Sequence, residues 1–145
     1  MYTQAYSAYQ DTNVKTASQG KLVVLLYEGA VRHLTEAVSF FNDEGKVDPS
    51  HIEKFGADIL KTQEIITELQ VSLNMDAGGD IAKSLMSLYV YFNNELTSAH
   101  ISQDKKKLEF VCNMMTQLLG SWRAAANSTA NAPAAVVRSA LDIQG

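Results

Sequence analysis

Three features of the sequence together predict an all-α fold, an antiparallel up-and-down four-helix bundle. Apolar side chains recur at helical spacing in four long blocks. Short polar or glycine-containing stretches separate the blocks, which makes sequential neighbours antiparallel. Among 145 residues there are two prolines, Pro49 and Pro133, and eight glycines, too few for a turn-rich β design.

The first block opens at Ser18, a suitable N-cap, and runs to about Asn42. Its face carries Val23, Tyr27, Ala30, Leu34, Ala37, Val38 and Phe41. The second opens at Asp48-Pro49, a capping residue followed by proline at the first helical position, where a missing N–H costs nothing. Ser50 with Glu53 offers an alternative capping box. Its stripe is Ile52, Phe55, Ile59, Thr62, Ile66, Leu69 and Leu73.

Gly78-Gly79 interrupts the chain, and the third block starts near Asp80, whose carboxylate favours the positive end of the helix dipole. It continues through Ile81, Leu85, Leu88, Phe92, Leu96 and Ala99. The fourth opens near Asp104 and runs to about Ala126 through Leu108, Val111, Met115, Leu118, Trp122 and Ala125. Lys105, Lys106 and Lys107 at its start oppose the dipole and read as a solvated face. The domain plan is an arm over residues 1–15 carrying Tyr2, Tyr6 and Tyr9, a bundle over 16–126, and a small-residue linker with a short amphipathic tail over 127–145.

Composition narrows the function classes. A chain that is 46% hydrophobic and 19% charged is too apolar to be wholly disordered. No run of about 18 apolar residues is present, so no membrane insertion is expected. The opening MYTQAYSAYQ lacks the basic start and apolar core of a secretory signal. One cysteine, Cys112, fits a reducing, cytoplasmic compartment, and a net charge of −4 argues against a nucleic-acid partner.

The residues of catalysis are scattered. His33, His51 and His100 stand outside metal-binding spacings, and Cys112 has no electropositive setting to make it a nucleophile. Glu64 and Glu68 lack an accompanying Glu-x-x-His, and Gly78-Gly79 lacks the lysine of a phosphate loop. The expectation is a protein that is not an enzyme, with no catalytic residue, metal or cofactor.

The apolar content exceeds what a bundle uses. A core-facing helix needs roughly three apolar positions in seven, and the second block keeps to that. The stretch Leu22-Val23-Val24-Leu25-Leu26-Tyr27 is apolar right around a helix, and Leu85 to Phe92 is nearly so. Phe110, Val111 and Cys112 with Met114, Met115, Leu118 and Leu119 give the fourth block a second apolar side. Either an irregular bundle buries these residues, or something covers them: the tyrosine arm, the tail, a second copy of the chain, or another partner.

Thr16-Ala17-Ser18-Gln19-Gly20-Lys21-Leu22-Val23-Val24-Leu25-Leu26-Tyr27-Glu28-Gly29-Ala30 resembles the opening signature of the flagellar secretion chaperones, the FliS family, TASPGKLVxMLYDGA. Ala8-Tyr9 through Val14 resembles the family's leading AYxxxxV motif, and Ala5-Tyr6 matches it with a longer gap. Gly78-Gly79-Asp80-Ile81-Ala82 through Leu88-Tyr89-Val90-Tyr91-Phe92 is similar to GGEIAxNLxxLYxYM. Leu118-Leu119 with Trp122 resembles the closing element. The matches fall in order over about residues 8 to 126. The departures are Gln19 for proline, Glu28 for aspartate, Asp80 for glutamate, and Glu95 near a position often basic.

The resemblance implies a cytoplasmic four-helix bundle that binds the disordered C-terminal segment of flagellin and keeps it monomeric before type III export. Export-gate and other flagellar assembly factors would be further partners. It assigns Tyr6, Tyr9 and Val14 to an arm that gives way to substrate, and Leu22, Leu25, Leu26, Leu85, Leu88, Tyr89 and Phe92 to partner binding. The rival reading from the same surplus faces is self-association, as a weak homodimer or a scaffold without a flexible client.

Overall fold

The computed structural model describes residues 16–127. The expected arm and tail, with Tyr6, Tyr9 and Val14, lie outside the described residues. Four helices follow in chain order: α1 (Thr16–Ser39), a 3-10 turn (Pro49–His51) leading into α2 (Ile52–Ser72), α3 (Met75–Ser102) and α4 (Lys105–Asn127).

Cross-helix pairs fix the helix directions. Between α1 and α2, Gly29 approaches Ile65 and Glu36 meets Lys54, so numbers rise on one helix as they fall on the other. The same inverse register links α2 with α3 through Gln70–Met86 and Phe55–His100. It links α3 with α4 through Ser98–Lys107 and Tyr91–Phe110, and α4 with α1 through Arg123–Glu28 and Cys112–Thr35. Each helix runs antiparallel to its two neighbours, and the four close into a ring: the expected up-and-down bundle.

The core takes one stripe from each helix. Tyr27, Ala30, Leu34 and Ala37 of α1 meet Phe55, Ile59, Ile66 and Leu69 of α2, Leu85, Phe92 and Leu96 of α3, and the whole expected stripe of α4. Helix α1 lies closer to α2 and α4 than α3 does. Interaxial distance follows the side chains at the contact. α1 offers Gly29, Ala30 and Ala37 there, and a Cβ on Gly29 would stand 3.2 Å from Ile65 Cδ1. α3 offers the bulkier Tyr89 and Phe92.

The helix ends differ in detail from the sequence reading. α1 already runs from Thr16, so Ser18 lies within the helix rather than capping it. It stops at Ser39, short of Asn42, because the Asn42 side chain serves a turn instead: Oδ1 accepts from the backbone N–H groups of Glu44 and Lys46. Asp48 does not cap α2 with its side chain, and the Ser50 capping box gives way to the 3-10 turn. Asp48 Oδ1 instead accepts from Asn42 Nδ2 at 3.2 Å.

α3 begins at Met75, a turn before Asp80, with Asn74 Oδ1 accepting from Ala77 N at 2.9 Å. Gly79, at φ 53° and ψ −131°, then breaks that first turn from the rest; its positive φ is one that glycine tolerates and side chains resist. Asp104 does open α4, its Oδ1 accepting from Lys107 N.

Truncating Leu34, fully buried between helices, to alanine should cost about 2–5 kcal/mol in urea unfolding. Leu25→Ala, at a site 64% exposed, should change stability by no more than about 0.5 kcal/mol.

Candidate functional site

The four outer seams of the ring are not alike. The α1/α2 seam is polar: His33 Nδ1 lies 2.9 Å from Asp58 Oδ1, and Lys54 Nζ donates to Glu36 Oε1 at 3.2 Å. Across α2/α3, Gln63 Nε2 donates to the Asn93 carbonyl and to Thr97 Oγ1. Across α1/α4, Arg123 pairs with Glu28 at 2.8 Å.

The α3/α4 seam has a polar tie at its loop end, where Lys107 Nζ donates to Ser98 Oγ at 2.8 Å. Beyond that it becomes apolar. Tyr91 and Phe110 meet edge to face with ring centroids 6.1 Å apart, yet remain 46% and 43% exposed. Residues three and four apart share a helix face. Leu88, three before Tyr91, and Met114, four after Phe110, therefore continue the two rows, and both are half-buried against the core. This strip lies on the side of the ring opposite the polar α1/α2 seam. At about 25 cal/mol per Å² of apolar surface covered, a helix laid along it gains several kcal/mol.

The residues expected to bind a partner separate by depth. Leu25 is exposed, and Leu22 and Leu88 are half-buried. Leu26, Leu85, Tyr89 and Phe92 are buried in the core, and a partner on the surface reaches them only through the layer above. Tyr91, Phe110 and Met114 were visible in the sequence as surplus apolar residues, but were not among those assigned to partner binding. A second difference concerns α2: Ile52, expected in its core stripe, is exposed at the helix start, and with Leu60 and Val71 it gives α2 outward apolar side chains too.

Tyr89 has a structural partner that its motif does not announce. Its hydroxyl lies 2.6 Å from that of Tyr27 across the bundle, and both rings are buried. Burial raises both phenols above their ordinary range. The two hydroxyls share one hydrogen bond, in which either can donate.

Bundle and seam define the class: an all-α protein that keeps apolar surface outside a finished core. Among the described residues no helix is long and apolar enough to cross a membrane. The sequence profile of the flagellar protein FliS matches residues 2–129, and the chain belongs to that family. It is 32% identical over 120 residues to the flagellar secretion chaperone FliS of Vibrio cholerae, covering 82% of this chain and 84% of the relative. The flagellar secretion chaperone FliS of Salmonella typhimurium is 30% identical over 129 residues, covering 85% and 91%. That of Bacillus subtilis is 28% identical over 123 residues, covering 85% and 86%. The family is one of secretion chaperones rather than enzymes.

Both buried phenols have folded values above their unfolded ones, so the stability they confer is complete below about pH 10 and declines as pH rises further. Each contributes a slope of up to about 1.4 kcal/mol per pH unit there. Ultraviolet titration should show a tyrosinate fraction that appears only with unfolding, and Tyr27→Phe should shrink that fraction.

Proposed function

We propose that this chain is a cytoplasmic export chaperone that holds the C-terminal segment of flagellin, prevents its premature polymerisation and assists its delivery to the flagellar type III export apparatus. One observation carries the reading beyond family membership: an apolar strip of Leu88, Tyr91, Phe110 and Met114 left on the outside of a bundle whose core is already filled. Leu22 and Leu25 on α1 form a second contact area. Leu26, Leu85, Tyr89 and Phe92 act from beneath, as the packed floor on which these contacts stand.

The mechanism is coupled folding. A disordered apolar segment that orders as short helices on the bundle buries about 1,000–3,000 Å², and ordering it costs about 2–5 kcal/mol of the gross gain. The faces it would use to assemble are then hidden. Release requires no nucleotide hydrolysis, only competition at the export gate, where further assembly factors engage the complex. The N-terminal segment with Tyr6, Tyr9 and Val14 covers the apolar surface in the free protein, which keeps it dry and lowers apparent affinity by the fraction of time it is covered.

Phe110→Asp should weaken calorimetric binding of a flagellin C-terminal peptide by about 2 kcal/mol or more, roughly 30-fold, without lowering the melting temperature. Leu88→Asp should do the same; if it unfolds the protein instead, Leu88 serves the core. Binding unchanged in the folded Phe110 variant would remove the seam from the contact surface. Sedimentation with and without peptide tests self-association, which a tight dimer indifferent to peptide would favour.

Deleting residues 1–14 should tighten peptide binding and reduce solubility. Unchanged affinity would eliminate the gating role, and weaker binding would make the arm a direct contact.

A further inference from the structure

The α1/α2 seam, on the side of the ring opposite the apolar strip, holds a group of polar side chains. His33 and Glu36, one turn apart on α1, face Asp58 on α2, and one donor atom from each lies within 4.8 Å of the other two. Asp58 is only 3% exposed. Its Oδ1 meets His33, but its Oδ2 is buried with no hydrogen-bond partner. A buried carboxylate oxygen facing no donor is costly, and such an atom in a native protein calls for an explanation such as an ion.

We propose that His33, Glu36 and Asp58 bind a divalent first-row transition ion, with zinc the preferred probe, and that the ion clamps α1 to α2. The donor set fits that class. One imidazole nitrogen and two carboxylates make a three-ligand site with a fourth position open to water, whereas magnesium and calcium take oxygen ligands. Around a tetrahedral ion with bonds of about 2.0–2.2 Å, ligand atoms stand roughly 3.3–3.6 Å apart, so the three side chains close by about an ångström. His33 Nδ1 exchanges its contact with Asp58 for the ion and carries its proton on Nε2 instead.

Lys54 Nζ is already 3.2 Å from Glu36 Oε1, so it competes for this corner. Its side chain is 61% exposed, and it can swing into solvent when an ion enters.

The test uses the full chain, treated with chelator and dialysed, and titrated with zinc chloride near about pH 7.5, by calorimetry and thermal melting. Expected are one-to-one binding and a melting temperature raised by several degrees, with magnesium inert. His33→Gln and Glu36→Gln should each weaken binding at least about tenfold. Asp58→Asn should do so if it folds, which Trp122 fluorescence checks; the partly exposed Glu36 keeps the test decisive if it does not. His51→Gln and His100→Gln should bind as the parent does, and Lys54→Met as tightly or more so. Cobalt should give visible d–d bands that His33→Gln abolishes. No heat and no melting shift in the parent chain, binding that survives in both His33→Gln and Glu36→Gln, or loss of binding in Lys54→Met would each overturn the site.

Discussion

Two phenol hydroxyls sealed in an apolar bundle oblige each other to meet. Tyr27 of α1 and Tyr89 of α3 sit diagonally across the ring, and burying either hydroxyl without a partner would cost about 1–3 kcal/mol. Their 2.6 Å contact therefore fixes the rotation of α1 and of α3 about their own axes. Once Tyr89 points inward, helical geometry turns Leu88 and Tyr91 toward α4 and leaves Val90 outside. The apolar seam is thus a consequence of how the core is satisfied. Trp122, whose ring centroid lies 5.8 Å from that of Tyr27, brings α4 into the same arrangement.

A helix presents about 100° to each neighbour and to the core, so an uninterrupted apolar run necessarily leaves side chains outside. Leu22 to Tyr27 spans more than a full turn, and the structure assigns Tyr27 and Leu26 to the core, Leu22 to an edge, and Leu25 to solvent. Three of the four seams carry polar pairs between side chains near their middle, which leaves less apolar surface there for a partner. The α3/α4 seam meets instead through Tyr91 and Phe110, an aromatic pair that stays partly exposed, whereas the Tyr27–Trp122 pair between α1 and α4 is buried.

What the sequence disclosed, and what it withheld, follows from the range of the interactions involved. Leu108, Val111, Met115, Leu118, Trp122 and Ala125 were legible as a stripe because Glu109, Asn113, Gln117, Ser121 and Arg123 punctuate the run between them, and all six are buried. In Leu85 to Phe92 nearly every position is apolar, so periodicity carries little phase there. Core and surface members such as Tyr89 and Tyr91 looked equivalent until α4 and α1 were in place. The Asn74 cap was hidden for a different reason: the Gly78-Gly79 pair marks a break, but the turn before it is held by a single side chain. The meeting of His33, Glu36 and Asp58 depends on the register between α1 and α2, set by the close approach at Gly29, and no spacing within either helix encodes it. Family membership was legible because its motifs are local strings; the seam was not, because it is made of two helices.

The character of the seam fits a partner that has to be let go. Tyr91 and Phe110 are about half covered by each other and their surroundings, so the free protein does not leave two whole rings in water, and a partner gains only the remaining half. At about 25 cal/mol per Å² that remainder is worth far less than a new core of the same residues. A fully open groove would bind more tightly but would also invite aggregation, and a fully closed one would bind nothing. Polar ties on the α1/α2 side and an apolar strip opposite them give the bundle two unlike faces, and the apolar one is where the proposed client would lie.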